Sequence, residues 1–363
     1  MEGPRSPRES EYSQVLEFLH SHLRPEAGWS LSQEYPTALG PTNLNNIRII
    51  TEQGKVLSHA VLKPLIIKTP IAILKAAAIG SVVTDSEHRG QGLSTKVLEE
   101  CLAEARRQEC DIAILWTNLH EFYRKLDFEL AGTEISCTLE NEFTTPAASG
   151  LKYIRGANVS AAAIYRLYSQ HTVGSVRTAE DIQKFMNIPQ STVYTAWDQT
   201  GQLVAYAVDG KGADLTNYIH EWGGSTSKII ALLSHIRKEK AKPVTIIFPR
   251  QSTNLHRQLK ELPGSVVTEG FLGMIKIINQ AGLFAKIKKT ARQNGLQDLI
   301  LEKQGSHIVF GLPGDLLTIS DEKDFVSLLF GPISEIPLTA AATSEKLLKL
   351  FPLPLWFWGW DSV

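Results

Sequence analysis

Ile79-Gly80-Ser81-Val82-Val83-Thr84-Asp85-Ser86-Glu87-His88-Arg89-Gly90-Gln91-Gly92-Leu93-Ser94-Thr95 is the stretch on which the reading of this chain turns. An apolar β-type run enters a glycine-containing turn, and the turn opens a helical pattern. Val97, Leu98, Cys101, Leu102 and Ala105 recur at i, i+1, i+4, i+5 and i+8. The first N–H groups of a helix have no intrahelical partner, and the helix dipole favours an anion there. Gly90 and Gly92 allow close backbone approach, and Arg89 adds a permanent positive charge. The ligand expected at such a turn is a pyrophosphate. The plain alternative is an ordinary strand–turn–helix with a surface arginine, because a lone Gly-x-Gly is a weak signal.

Outward from this stretch the first third reads as α/β. The pattern predicts a helix over 10–23 and strands over 46–51, 56–67 and 71–84, the first two joined by Glu52-Gln53-Gly54-Lys55. The helix over 94–108 is followed by a strand over 111–117, a short helix over 120–126 and a strand over 128–139. Segment 141–150, with Thr-Thr-Pro-Ala-Ala-Ser-Gly, reads as a linker. Beyond it the order of elements recurs: helices over 160–170 and 179–186, strands over 192–197, 203–209 and 215–222, then Gly223-Gly224. A helix over 225–238, a strand over 244–249, a helix over 252–259 and a strand over 266–278 complete the set. This recurrence suggests a diverged duplication. The last part alternates a helix over 283–293, strands over 299–302, 307–310 and 316–319, and a helix over 322–329. Leu355-Trp356-Phe357-Trp358-Gly359-Trp360 is too aromatic for an ordinary frayed end and is expected to be buried.

Arg89-Gly90-Gln91-Gly92-Leu93-Ser94 resembles motif A of the GNAT acetyltransferases, Gln/Arg-x-x-Gly-x-Gly/Ala, with Ser94 in the last small position. Glu121-Phe122-Tyr123-Arg124-Lys125-Leu126-Asp127-Phe128-Glu129 resembles motif B, with Asp127 where a glycine is usual. The resemblance covers roughly residues 40 to 140. It implies acetyl-CoA as cosubstrate, bound where a bulged strand over 79–84 splays from the strand over 111–117. Val82, Val83 and Thr84 would then line the thioester. Arg89, Gly90, Gln91, Gly92, Leu93 and Ser94 would hold the pyrophosphate, and Asn118 would touch the pantetheine. Tyr123 is the candidate general acid, since a phenol of pKa near 10 can protonate a leaving thiolate; the plain alternative is a tyrosine packed in the core. His120 and Glu121, near Tyr123, could take the amine's proton or be solvated helix residues.

Over its whole length the chain is similar to the enhanced intracellular survival type. That likeness implies tandem GNAT-like domains with mixed, mostly antiparallel sheets, plus a small α+β domain similar to sterol carrier protein. The expected divisions are 1–140 (catalytic), 151–279 (degenerate) and 280–363. It also implies that the Val363 carboxylate returns to the first domain as base. Desolvation would raise its pKa; an interdomain hydrophobic staple is the alternative. In the second domain Trp222-Gly223-Gly224-Ser225-Thr226-Ser227 keeps the glycines but has no arginine, while Tyr218, His220 and Glu221 are candidates to line a substrate face.

Composition bounds these readings. The chain has 363 residues, enough for two or three domains. Its 37 basic and 38 acidic side chains nearly cancel, which argues against a nucleic-acid binder. Cys101, Cys110 and Cys137 have neither disulfide-framework nor zinc spacing, and Cys101 and Cys110, on or near the apolar face of the helix over 94–108, read as small core residues. His120-Glu121 and His220-Glu221 do not continue as H-E-x-x-H, so no metal is expected. The polar stretch Met1 to Gln14 lacks a signal-peptide core, and no run reaches membrane-span length, so a cytoplasmic location is expected. The function expected is acetyl transfer to a primary amine by direct attack in a ternary complex; members of the resembled family assemble as oligomers, so the resemblance leaves a homo-oligomer open. A non-catalytic acyl-CoA sensor and a lipid-binding module are the alternatives.

Overall fold

The computed structural model describes residues 1–332, 347 and 350–363. Its frame is one long mixed sheet. Gln53 and Gly54, with φ of 49° and 78°, form the two-residue turn that joins β2 (Ile47–Glu52) to β3 (Lys55–Lys68), the backbone pattern that matches strand twist in a tight hairpin. β4 (Ile73–Thr84) pairs antiparallel with β3. β1 (Glu2–Arg5) adds to the edge at β2, a strand that Glu-Gly-Pro-Arg does not announce by any apolar alternation. The helix Leu93–Arg107 buries Leu93, Val97, Leu98, Cys101, Leu102 and Ala105, the stripe read from the sequence, and packs on β2, β3 and β4. Each fully buried leucine there contributes about 1.5–3 kcal/mol relative to exposure. All three cysteines are buried and unpaired.

β5 (Ile112–Leu115) runs parallel to β4, and β6 (Glu129–Leu139) follows the short helix His120–Arg124. The second half repeats this order. β7 (Lys152–Arg155), β8 (Gly174–Ser175), β9 (Thr192–Trp197), β10 (Leu203–Lys211) and β11 (Asp214–Gly224) lead to the helix Thr226–Lys240. β12 (Val244–Pro249) and β13 (Ser265–Ile277) follow. β11 and β12 are parallel, as β4 and β5 are, and the other pairings are antiparallel. The sheet order is β1-β2-β3-β4-β5-β13-β6-β12-β11-β10-β9-β7, with β8 on β3. β13 thus lies against β5, with Met274 opposite Leu115, and β6 lies against β12, with Cys137 opposite Ile246. Each half lends its last strand to the other.

Segment 141–150 crosses between the halves as expected of a linker, but it is strapped down. Ser234 Oγ donates to the Phe143 carbonyl at 2.5 Å. A three-stranded antiparallel sheet, β14 (Ile300–Gln304), β15 (His307–Leu312) and β16 (Asp315–Ile319), forms the last α+β unit with the helices Gln280–Gln293 and Glu322–Phe330. The aromatic segment is buried, as its composition demanded: Trp356, Trp358 and Trp360 are among the largest fully enclosed side chains. Among the described residues no helix is long and apolar enough to cross a membrane.

Candidate active site

The site starts from an irregularity in β4. His59 pairs with Val83 and Val61 with Gly80, so Ser81 and Val82 together face Ala60 and the strand bulges. Ser81 takes φ 49°, and its carbonyl accepts from His59 Nδ1 at 2.8 Å. Burial pulls His59 down to about 4, so the imidazole is neutral at physiological pH and carries its proton on Nδ1 to make this bond. The parallel pairing of β4 with β5 stops at Ala78 and Ile114. Past that point the two strands no longer pair, and the bulge lies beside the stretch of β4 that β5 leaves unpaired.

One cavity, of about 440 Å³, lies along the diverging end of β4 and the turn after it. Val82, Val83, Thr84, Arg89, Gly90, Gly92, Leu93, Ser94 and Tyr123 line it. Gly92 caps the helix Leu93–Arg107 with φ 74°, and Gly90 has φ 76°. A Cβ at either would meet nothing within 4 Å, so backbone conformation and not space calls for glycine here. Gln91 and Asn118 are exposed and line neither this cavity nor the next. Where Asn118 was expected, Thr117 and Leu119 face the second cavity instead, because Leu119 N–H caps on Thr117 Oγ1 at 3.0 Å and turns the chain outward between them.

The second cavity, of about 250 Å³, opens on the other side of the bulge. Gly80, Ser81, Tyr35, Trp116, Asp214 and Val363 contribute to its wall, and Tyr123, Val82 and Leu119 are shared with the first. Tyr123 therefore stands at the junction. Phe122 and Phe128 meet its ring edge-on, and burial pushes its phenol up to about 12. Val363 reaches the bulge itself: a Cβ on Gly80 would lie 2.3 Å from the Val363 carbonyl oxygen, so only glycine admits this contact. Tyr123 and Val363, separated by most of the chain, are brought to one cavity.

Residues 4–131 match the acetyltransferase (GNAT) domain family. The N-terminal part of the chain is a GNAT acetyltransferase domain. The protein thereby carries the domain of an acyltransferase. Among solved structures, a GCN5-related N-acetyltransferase from Anabaena variabilis is 16% identical, with 99% of each chain covered and a TM-score of 0.66. A probable N-acyltransferase from Enterococcus faecalis is 14% identical over 90% of this chain and 89% of that one, TM-score 0.60. Eis1 from Mycobacterium abscessus is 12% identical over 88% and 83%, TM-score 0.56. No curated protein is similar to the chain in sequence at a significant level. At such identities the structural likeness concerns the fold, and it extends over both halves and the last unit.

The second half keeps the GNAT element order, but an indole occupies the parting of its strands. Pairing of β11 with β12 stops at Ile219 and Ile246, the counterpart of the β4–β5 parting. Trp222 fills that gap, its indole N–H donating to the Ile247 carbonyl at 3.2 Å. Only Ser225 separates β11 from the helix Thr226–Lys240, and the cavity there has no arginine or lysine in its wall. His220 and Glu221 do not line a substrate face, contrary to the expectation from sequence. Both are fully buried, because the aromatic tail covers them; Tyr218 is exposed.

Glu221 belongs to an ion network that sequence reasoning missed. The Arg177 guanidinium bonds Glu221 at 2.9 and 3.2 Å and Asp361 at 2.8 and 3.2 Å. All three side chains are at most 3% exposed. Ser175 Oγ donates to Asp361, and Tyr206 O–H to Glu221. Burial pushes Glu221 up to about 7 despite Arg177. Burial also works against the Asp361 carboxylate, yet Arg177, Lys63 and Ser175 together hold it below its usual range. The one sequence signal was a lone aspartate at the end of an aromatic run.

Proposed function

We propose that the protein is an acetyl-CoA-dependent N-acetyltransferase acting on a primary amine by direct attack in a ternary complex. The observation that carries the proposal is the parting of β4 from β5, with a cationic glycine turn at one end and Tyr123 and Val363 at the other. The open N–H groups of the turn and Arg89 suit the pyrophosphate, and the bulge at Ser81–Val82 offers backbone groups to the pantetheine and the thioester. The amine enters by the cavity that Asp214 and Trp116 wall. Its nitrogen forms the C–N bond as the C–S bond breaks, and its proton passes to the Val363 carboxylate. Tyr123 donates to the departing sulfur. With its phenol pushed up to about 12, Tyr123 keeps its proton at every working pH and contributes mainly as a hydrogen-bond donor to developing charge.

In this reading residues 1–140 form the catalytic unit and 151–279 a degenerate GNAT unit. The unit over 280–363 serves as a sterol-carrier-like platform for the tail. The near-balanced charge fits a small-molecule acceptor better than nucleic acid. The test is calorimetric titration of acetyl-CoA. Wild type should bind in the micromolar range, and Arg89→Glu should bind at least about tenfold more weakly, one opposed charge near a phosphate corresponding to about 1.4 kcal/mol or more. Absence of binding to folded wild type would defeat the proposal. Tyr123→Phe should lower kcat by about 100-fold, the scale of one hydrogen-bond donor to developing charge, with acetyl-CoA affinity within twofold of wild type. An unchanged kcat would remove Tyr123 from the chemistry.

A further inference from the structure

Lys211 is a buried lysine with, among the described residues, no carboxylate at bonding distance. Burying an ammonium is costly unless its donors are filled. Its Nζ donates to the Gly359 carbonyl at 2.9 Å, the Ser362 carbonyl at 2.7 Å and Ser362 Oγ at 2.8 Å, and lies 4.7 Å from the centre of the Tyr35 ring. All three acceptors lie within five residues of Val363, and the nearest is the carbonyl one peptide before its carboxylate.

Lys211 comes from the second half. It ends β10, and Asp214 begins β11, so the two bracket a hairpin tip. That tip docks on the first half. Ala213 N–H donates to Glu34 at 3.1 Å, Arg24 donates to Asp214 at 3.0 Å, and a Cβ on Gly212 would lie 2.1 Å from the Glu34 carboxyl carbon. The Arg177 network anchors the tail at Asp361 and sets its depth. Ser362 and Val363 lie beyond that anchor and could still pivot. Lys211 lies on one side of them and the backbone of Gly80 on the other, and Ser362 also donates to the Gly359 carbonyl through its N–H at 3.3 Å and its Oγ at 2.8 Å.

We infer that Lys211 is a positioning residue of the acetyltransferase site, supplied by the second half to aim the Val363 carboxylate at the bulge of β4. This rests on the reading of Val363 as the base. It gives the second half a task although its own cleft is filled by Trp222.

The experiment is a double-mutant cycle in the full chain, combining Lys211→Met with a Val363 carboxamide prepared by ligation. Acetyl transfer and calorimetric acetyl-CoA affinity are both read. Lys211→Met in the native tail should lower kcat/KM for the amine by about 20-fold or more and leave acetyl-CoA affinity within twofold. In the carboxamide background the same substitution should cost less than about twofold, because coupled groups are not additive. Equal losses in the two backgrounds, or no loss in the native tail, would overturn the inference. A carboxamide with full activity would defeat the base reading itself, and Lys211 with it, and is told apart by that single variant. Should Lys211→Met not fold, Ser362→Ala takes its place in the cycle. It removes one arm of the clamp and should cost about threefold, again only when the carboxylate is present; a loss of the same size in the carboxamide background, or none, would overturn the inference.

Discussion

Conversion of the Val363 carboxylate to a carboxamide should lower kcat/KM for the amine acceptor by about 100-fold or more, the range expected when a general base is lost. The change is small in volume and keeps the packing against Gly80, so acetyl-CoA affinity should stay within twofold of wild type. Deleting Val363 should cost as much, because Ser362 is held back by Lys211 and cannot carry a new carboxylate to the bulge. Gly80→Ala should give the same kinetic defect from the opposite side, since its Cβ would occupy the space of the Val363 carboxyl group. Steady-state kinetics on the three variants, with acetyl-CoA titration as control, checks the set. A carboxamide with wild-type turnover would leave the tail as packing only.

Arg177→Met should destabilise the protein by roughly 3–5 kcal/mol, the cost of breaking a buried ion group by removing one partner. Glu221 and Asp361 would remain buried without their shared cation, and one carboxylate would have to take up a proton or drag the tail into solvent. Denaturant unfolding followed by tryptophan fluorescence reads this directly, because Trp358 and Trp360 pack beside the network. The triple variant Arg177→Met, Glu221→Gln, Asp361→Asn should recover a large part of the loss, since it removes the stranded charges as well. If Arg177→Met alone costs less than about 1 kcal/mol, the network does not anchor the tail.

Local structure was legible where a residue's role depends on near neighbours. The hairpin at Gln53-Gly54, the buried stripe of the helix Leu93–Arg107 and the turn Arg89–Ser94 all stand close to where the sequence puts them. Thr192–Trp197 and Val244–Pro249 match the expected strands residue for residue. β1 was not legible, because a strand of Glu-Gly-Pro-Arg is made by its partner β2 and not by its own side chains. Asn118 is exposed between Thr117 and Leu119, which line the second cavity, an alternation along a turning chain that a motif does not convey. Lys211, Arg177, Glu221 and Asp361 were beyond reach for a different reason. Glu221 and Asp361 stand in stretches the sequence does mark, but nothing local pairs either with Arg177 or points to Lys211, and only the closed fold brings them to the same tail.

The pairing of β6 and β13 was equally hidden, since a strand's pattern tells which face is buried and not which neighbour it takes. That crossing governs how the chain can be made. β5 has no partner on its far side until Met274 and Ile275 have emerged from the ribosome, and β6 waits for β12 in the same way. The nascent first half must therefore carry an open apolar edge through the synthesis of the second, during which it is exposed to mispairing. Contacts so distant in sequence also slow folding. For the same reason, expressing the GNAT domain alone should yield aggregate, and a useful minimal fragment has to run through Ile277.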